Sequence, residues 1–149
     1  MDNTKKNRNE DMGVINKNQR QLTLYYSSET SVGKQTYGYV SASEKQVLAI
    51  DISKTKVTGT QWADLAENLG IGISDLINKK HPDFTKTYGT EDVDMDDHDW
   101  LKVLQQHPEV LKFPIAINGE EYRMLKDPSD FMHVIGTEGH VDGGTETPL

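Results

Sequence analysis

Leu22–Val40 reads LTLYYSSETSVGKQTYGYV, and the reading of this stretch decides the fold. Leu22, Thr23, Leu24, Tyr25 and Tyr26 are β-formers with no breaker among them, so the stretch begins as a strand. It turns through Ser27-Ser28-Glu29-Thr30-Ser31. Val32, Thr36, Tyr39 and Val40 then fall at i, i+4, i+7 and i+8, which is one face of a helix. Ser28, Thr30 and Ser31 are each competent N-caps. A strand that feeds a helix N-terminus turns unpaired N–H groups outward, which suits an anion or a thiol. The loop itself carries no reactive group.

Working outward, Gln46–Ile52 (QVLAIDI) is a short apolar run suited to a buried strand, and Ser53–Gly59 is polar connection. Thr58 and Gln61 stand at capping-box spacing before Trp62, Leu65, Ala66 and Leu69, with Gly70 at the C-cap position. This predicts a helix. A shorter one over Ile73–Asn78 is expected, capped by Ser74. Lys79–Asp92 reads as loop, with Pro82 and Gly89. Asp96 or Asp97 then caps a helix carrying Trp100, Leu101 and Leu104, which stops near Pro108. Pro114–Asn118 is a strand, Asn118-Gly119 a hairpin signal, and Glu121–Leu125 the returning strand. Asp127-Pro128-Ser129 opens a last helix with Phe131, Val134 and Ile135 on its apolar side. The first half is a βαβ unit with parallel strands, and the second ends in an antiparallel hairpin. A four-stranded mixed α/β sheet with helices on both faces follows, with a helical insert between strands 2 and 3. That is a thioredoxin-like architecture.

Residues 1–20 are almost wholly polar and residues 136–149 are rich in Gly and Thr, so both read as flexible tails around a domain at 21–135. They account for much of a mean hydropathy of −0.69. A net charge of −8 argues against direct nucleic-acid binding, which needs a basic patch. No apolar run is long enough for a membrane span or a signal peptide, so a cytoplasmic protein is the expectation. The chain contains no cysteine, which excludes disulfides, thiolate metal sites and cysteine-based redox chemistry.

Two metal readings fail on spacing. Asp92, Asp94, Asp96, Asp97 and Asp99 begin like a calcium loop, but Asp97 replaces the required glycine and Val103 the bidentate glutamate. A solvated helix start explains the run better. The histidines at 81, 98, 107, 133 and 140 have no zinc spacing. No cofactor is expected. Trp62 and Trp100 are core candidates, and Tyr25, Tyr26, Tyr37 and Tyr39 are assigned to packing.

LYYSSETSVGK, LAENLGIGISDLINKK, DWLKVLQQHPEVLKFPIAING and RMLKDPSDF, in that order, resemble the arsenate reductase (ArsC) and Spx family of the thioredoxin fold. The resemblance covers roughly residues 22–135. It implies that Thr30 stands at the family's nucleophilic cysteine and Gly33 at the second cysteine of a Cys-x-x-Cys. Lys34 stands where an arginine follows the nucleophile, and Asn78 where a second arginine belongs. Phe113-Pro114 replaces the family's Arg-Pro, and Lys126 its last arginine. Lysine does not substitute for arginine in a bidentate oxyanion clamp. A hydroxyl at Thr30 would need a base, for which only Glu29 is near in sequence, and it cannot form a mixed disulfide.

The resemblance also implies a cis Pro114 facing the first helix, with the backbone of Phe113 free to pair with an extended peptide. The expectation is a cysteine-less, redox-dead binding protein. Its site would comprise Ser28, Thr30, Ser31, Lys34, Phe113, Pro114 and Lys126. Its partner would be a protein or peptide, a small anion or glutathione. Spx-type relatives act by binding the RNA polymerase α subunit, one form such a partner could take. The alternatives are an arsenate-reductase-like or glutaredoxin-like oxidoreductase and a purely structural domain.

Overall fold

The structure, a computed structural model, describes residues 21–134. The tails expected at 1–20 and 136–149, and Ile135, lie outside the described residues. The strands are β1 (Leu22–Tyr26), β2 (Val47–Asp51), β3 (Ile115–Asn118) and β4 (Glu121–Met124). The α-helices are α1 (Ser31–Ser43), α2 (Gly59–Leu69), α3 (Pro82–Tyr88) and α4 (Asp97–Gln106). Short 3-10 turns cover Ile73–Leu76, Pro108–Val110 and Pro128–Asp130, the last running into a helical turn at residues 131–134.

The sheet order is β2-β1-β3-β4, with β1 and β2 parallel and the other two pairings antiparallel. It is the expected four-stranded mixed sheet. The strict alternation of β1 decides the two layers. Leu22, Leu24 and Tyr26 face a core with Val40 of α1, Ala116, Leu125, Phe131 and Val134. Ile115 faces the larger core, built from Trp62, Leu65, Ala66, Phe84, Trp100, Val103 and Leu104. Both tryptophans are core, as expected. Asn118, 1% exposed, donates its Nδ2 to the Val134 carbonyl (3.1 Å) and ties the terminal turn to β3.

The predicted caps at α2 and α4 form. Thr58 Oγ1 accepts from Gln61 N–H (3.1 Å), Gln61 Oε1 from Thr58 N–H (2.9 Å), and Gly70 closes α2 at φ 74°. Asp96 Oδ1 accepts from Asp99 N–H (2.9 Å), so one member of the acidic run is spent as a helix cap.

Four expectations are corrected. β2 is an edge strand rather than a buried one, and Leu48 on it is 55% exposed. Tyr39 leaves the buried face of α1, which is made by Gly33, Thr36 and Val40. Ser74 caps nothing: the Asp75 carboxylate accepts from Gly72 N–H (3.0 Å) and opens a 3-10 turn. Residues 79–92 contain α3, with Pro82 at its first turn and His81 Nδ1 accepting from Asp83 N–H (3.0 Å). That helix is held by one buried residue, Phe84, which lies 6.0 Å from the Trp100 ring and 4.9 Å from that of Tyr88. Lys79 Nζ covers the Trp100 ring at 4.9 Å, so the insert closes over its own aromatic centre. Phe84→Ala should therefore cost about 3–5 kcal/mol in urea unfolding, a core-sized loss from a segment that reads as loop.

Candidate functional site

The predicted site residues come from three chain segments, and the sheet brings them to one end. β1 and β2 finish there, β3 starts there, and β4 finishes there. Continuing the pairing of Tyr25 with Ile115 sets Ser27 across from Phe113. Leu125 N–H donates to the Pro114 carbonyl (2.8 Å), which carries Lys126 to the same end. Asn78 arrives by a second route. Its N–H donates to the Val110 carbonyl (2.8 Å), beside the isolated bridge Ile77–Leu111. Its Oδ1 accepts from Lys80 N–H (3.0 Å), so at the second arginine position stands a turn former.

Thr30 is the N-cap of α1. Its Oγ1 accepts from Gly33 N–H (3.0 Å) and donates to the Ser27 carbonyl (3.2 Å), so lone pair and proton are both engaged. Its own carbonyl accepts from Lys34 N–H (3.0 Å). Ser27 Oγ accepts from Glu29 N–H (3.2 Å), while Glu29 and the side chain of Lys34 are exposed. Gly33 has no room for a side chain. A Cβ there would fall 2.0 Å from the Ser27 carbonyl oxygen and 2.7 Å from Thr30 Oγ1. The loop backbone lies directly on the first helical turn, and only glycine permits that approach. At the second cysteine position no cysteine fits.

What fixes the loop is a residue that sequence reasoning passed over, Asp51 at the end of β2. Its Oδ1 accepts from Ser28 N–H (3.1 Å), Ser53 N–H (3.0 Å) and Ser53 Oγ (2.7 Å). The two serine hydroxyls meet at 3.2 Å, and Lys54 Nζ stands 4.0 Å from Oδ2. The Asp51 side chain is only 13% exposed. Burial pushes its carboxyl up, but hydrogen bonds from Ser28 and Ser53 outweigh that and hold it at about 2. The signal in the sequence was an acidic residue closing an apolar strand, flanked by Ser53, with Ser28 in the neighbouring loop.

Pro114 is not cis. The described residues contain no cis peptide bond, which corrects the expectation carried by the resemblance. Trans is the lower-energy form of an X–Pro bond by about 0.5–1 kcal/mol, and in it the Pro114 carbonyl already meets Leu125. Alternation along β3 turns the N–H and carbonyl of Phe113 toward the Ser27 side. No hydrogen bond to another described residue takes them up. A groove of about 520 Å³ opens elsewhere, lined by Gln35, Gly38, Tyr39, Ala42, Asp127 and Pro128, and none of the predicted site residues lines it. Among the described residues no group of three or more metal-ligating side chains gathers, and no helix is long and apolar enough to cross a membrane.

Sheet order, parallel first pair, helical insert and terminal hairpin define a thioredoxin-like fold of the arsenate reductase type. The chain is similar in structure to arsenate reductase from Vibrio cholerae, with a TM-score of 0.66 at 16% identity over 77% of this chain and 98% of that one. An arsenate reductase (ArsC) related protein from Brucella melitensis superposes with a TM-score of 0.55 at 12% identity, over 76% and 92% of the two chains. A protein described as a possible arsenate reductase from Streptococcus mutans gives 0.57 at 17%, over 70% and 89%. No protein-family model and no curated protein matches the sequence.

Two outcomes follow from the loop. Asp51 has a folded-state pKa below its ordinary 3.8, so the stability it lends is present above about pH 4 and is lost as the pH falls toward 2. Asp51→Asn should cost on the order of 2 kcal/mol at pH 7, and urea titrations should show that deficit shrinking across the same acid range. Gly33→Ala should cost about 2 kcal/mol or more in thermal unfolding, because the added methyl meets a backbone carbonyl that the Asp51 contacts hold in place.

Proposed function

We propose that this chain is a non-catalytic thioredoxin-fold protein that binds an extended peptide or a small anion at the Ser27–Ser31 loop and the Phe113 edge. The observation that carries the reading is the double commitment of the Thr30 hydroxyl, to Gly33 N–H and to the Ser27 carbonyl, in a chain without cysteine. A hydroxyl bonded in this way gives its proton to a backbone carbonyl and not to a base, and it has no thiolate chemistry to offer. Redox turnover of the arsenate-reductase or glutaredoxin kind therefore has no nucleophile here.

Binding groups do remain at this end. The Ser31 and Val32 amides lie in the first turn of α1, ahead of those that Thr30 occupies. Lys34 and Lys126 are exposed cations from two sides, and the Phe113 backbone faces the loop. A peptide strand would pair with Phe113 while its polar groups met Ser28, Thr30 and Ser31. A small anion or glutathione would use the amides and the two lysines. With cytoplasmic placement, such a protein would act through its partner and not through turnover.

The test is amide NMR during titration with phosphate or arsenate and then glutathione. Saturable shifts confined to Ser28–Lys34 and Phe113–Ile115 are expected, together with no arsenate reduction in a glutathione-coupled assay. Turnover in that assay would overturn the reading. Shifts absent from both segments would leave a purely structural domain.

A further inference from the structure

The two edges of the sheet are built differently. β4 exposes Glu121 and Arg123, paired to each other at 3.4 Å, and such a charged edge discourages further strand pairing. β2 has no charge within Val47–Ile50 and carries Leu48, 55% exposed. Its hydrogen-bonding direction follows from one contact. Ile52 N–H donates to the Tyr26 carbonyl (2.8 Å), so by alternation Ile52, Ile50 and Leu48 turn their backbone groups to β1. Val47, Ala49 and Asp51 turn theirs away from it. The Asp51 carbonyl is taken by Lys54 and Thr55 N–H (3.0 and 2.8 Å), which ends the free edge at Ala49. Among the described residues, the N–H and carbonyl groups of Val47 and Ala49 have no strand partner.

We infer that this edge is a dimerisation surface, on which β2 pairs antiparallel with β2 of a second copy about a two-fold axis through Leu48. The two residues with outward backbone groups flank Leu48 symmetrically. In that register Val47 meets Ala49 of the other copy, twice, giving four backbone hydrogen bonds. The two Leu48 side chains stand opposite each other on one face and cover the apolar surface that each exposes alone. Charge agrees with the same register. Lys45 of each copy falls across from Asp51 of the other, whose Oδ2 takes no hydrogen bond from the serines and has only the exposed Lys54 of its own chain near it, at 4.0 Å. The interface is isologous, as a two-fold demands.

Analytical ultracentrifugation of the full chain between 1 μM and 1 mM tests this. A concentration-dependent monomer–dimer equilibrium is expected. Leu48→Lys sets two like charges on the axis and should weaken it at least tenfold. Ala49→Pro removes an outward N–H that the β1 ladder does not use, and should have a similar effect with the fold retained by circular dichroism. Should the proline variant unfold, Leu48→Lys alone decides. A wild-type chain that stays monomeric to 1 mM would overturn the inference. So would a dimer indifferent to Leu48→Lys, or dimerisation that appears only after residues 1–20 are removed, since the edge would then belong to the chain's own N-terminal segment.

Discussion

A single carboxylate holds the working end of this sheet. Asp51 closes the parallel strand β2 and takes three hydrogen bonds on one oxygen, two from Ser53 just beyond its own strand and one from Ser28 N–H in the loop that follows β1. Without it, the Ser27–Thr30 turn would keep its own hydrogen bonds, its contact with the first turn of α1 and the Ser28–Ser53 hydroxyl contact, but lose its backbone tie to the end of β2. With it, the turn presses onto the first coil of α1, closely enough that the Ser27 carbonyl occupies the place of a Cβ at position 33. The two halves of the βαβ unit are thereby locked at the sheet end that carries the candidate site. A buried acid is costly in general, and here the cost is offset because one carboxylate oxygen accepts three hydrogen bonds, two from backbone N–H groups and one from a hydroxyl.

The same locking fixes Thr30 as the cap of α1. A thiolate at a helix N-terminus is stabilised by amides that it does not consume. The Thr30 hydroxyl takes one of them, Gly33 N–H, and gives its proton to the Ser27 carbonyl. Catalysis needs a group held loosely enough to change partners, whereas a cap contributes most when it never does. The same residue cannot serve both ends, and the surrounding geometry favours the cap.

The parts of the fold legible in the sequence were those with local grammar. The alternation of β1, the capping box of Thr58 and Gln61, the C-cap at Gly70 and the hairpin at Asn118-Gly119 each carry their own signal. The misreadings came where partners lie far away in the chain. QVLAIDI looks buried because it is apolar, but whether a strand is central or edge depends on the order of pairing, which no strand encodes by itself. α3 is capped by a histidine ring and held by one aromatic contact with α4, so it has neither a familiar cap nor a periodic stripe. At the site, Thr30 was legible as a cap, while Asp51 was not legible as its support because Ser28 lies 23 residues away. The trans bond at Pro114 is a further case, since the resemblance pointed the other way.

The backbone of Phe113 is then the more informative remnant of the site. Its availability does not depend on the isomer of Pro114, because strand alternation alone turns its N–H and carbonyl toward the Ser27 side. The side chain at this position is an aromatic ring where the resemblance implies a cation, while the backbone geometry comes with the sheet. Pairing with an added strand would need only that geometry and no reactive side chain.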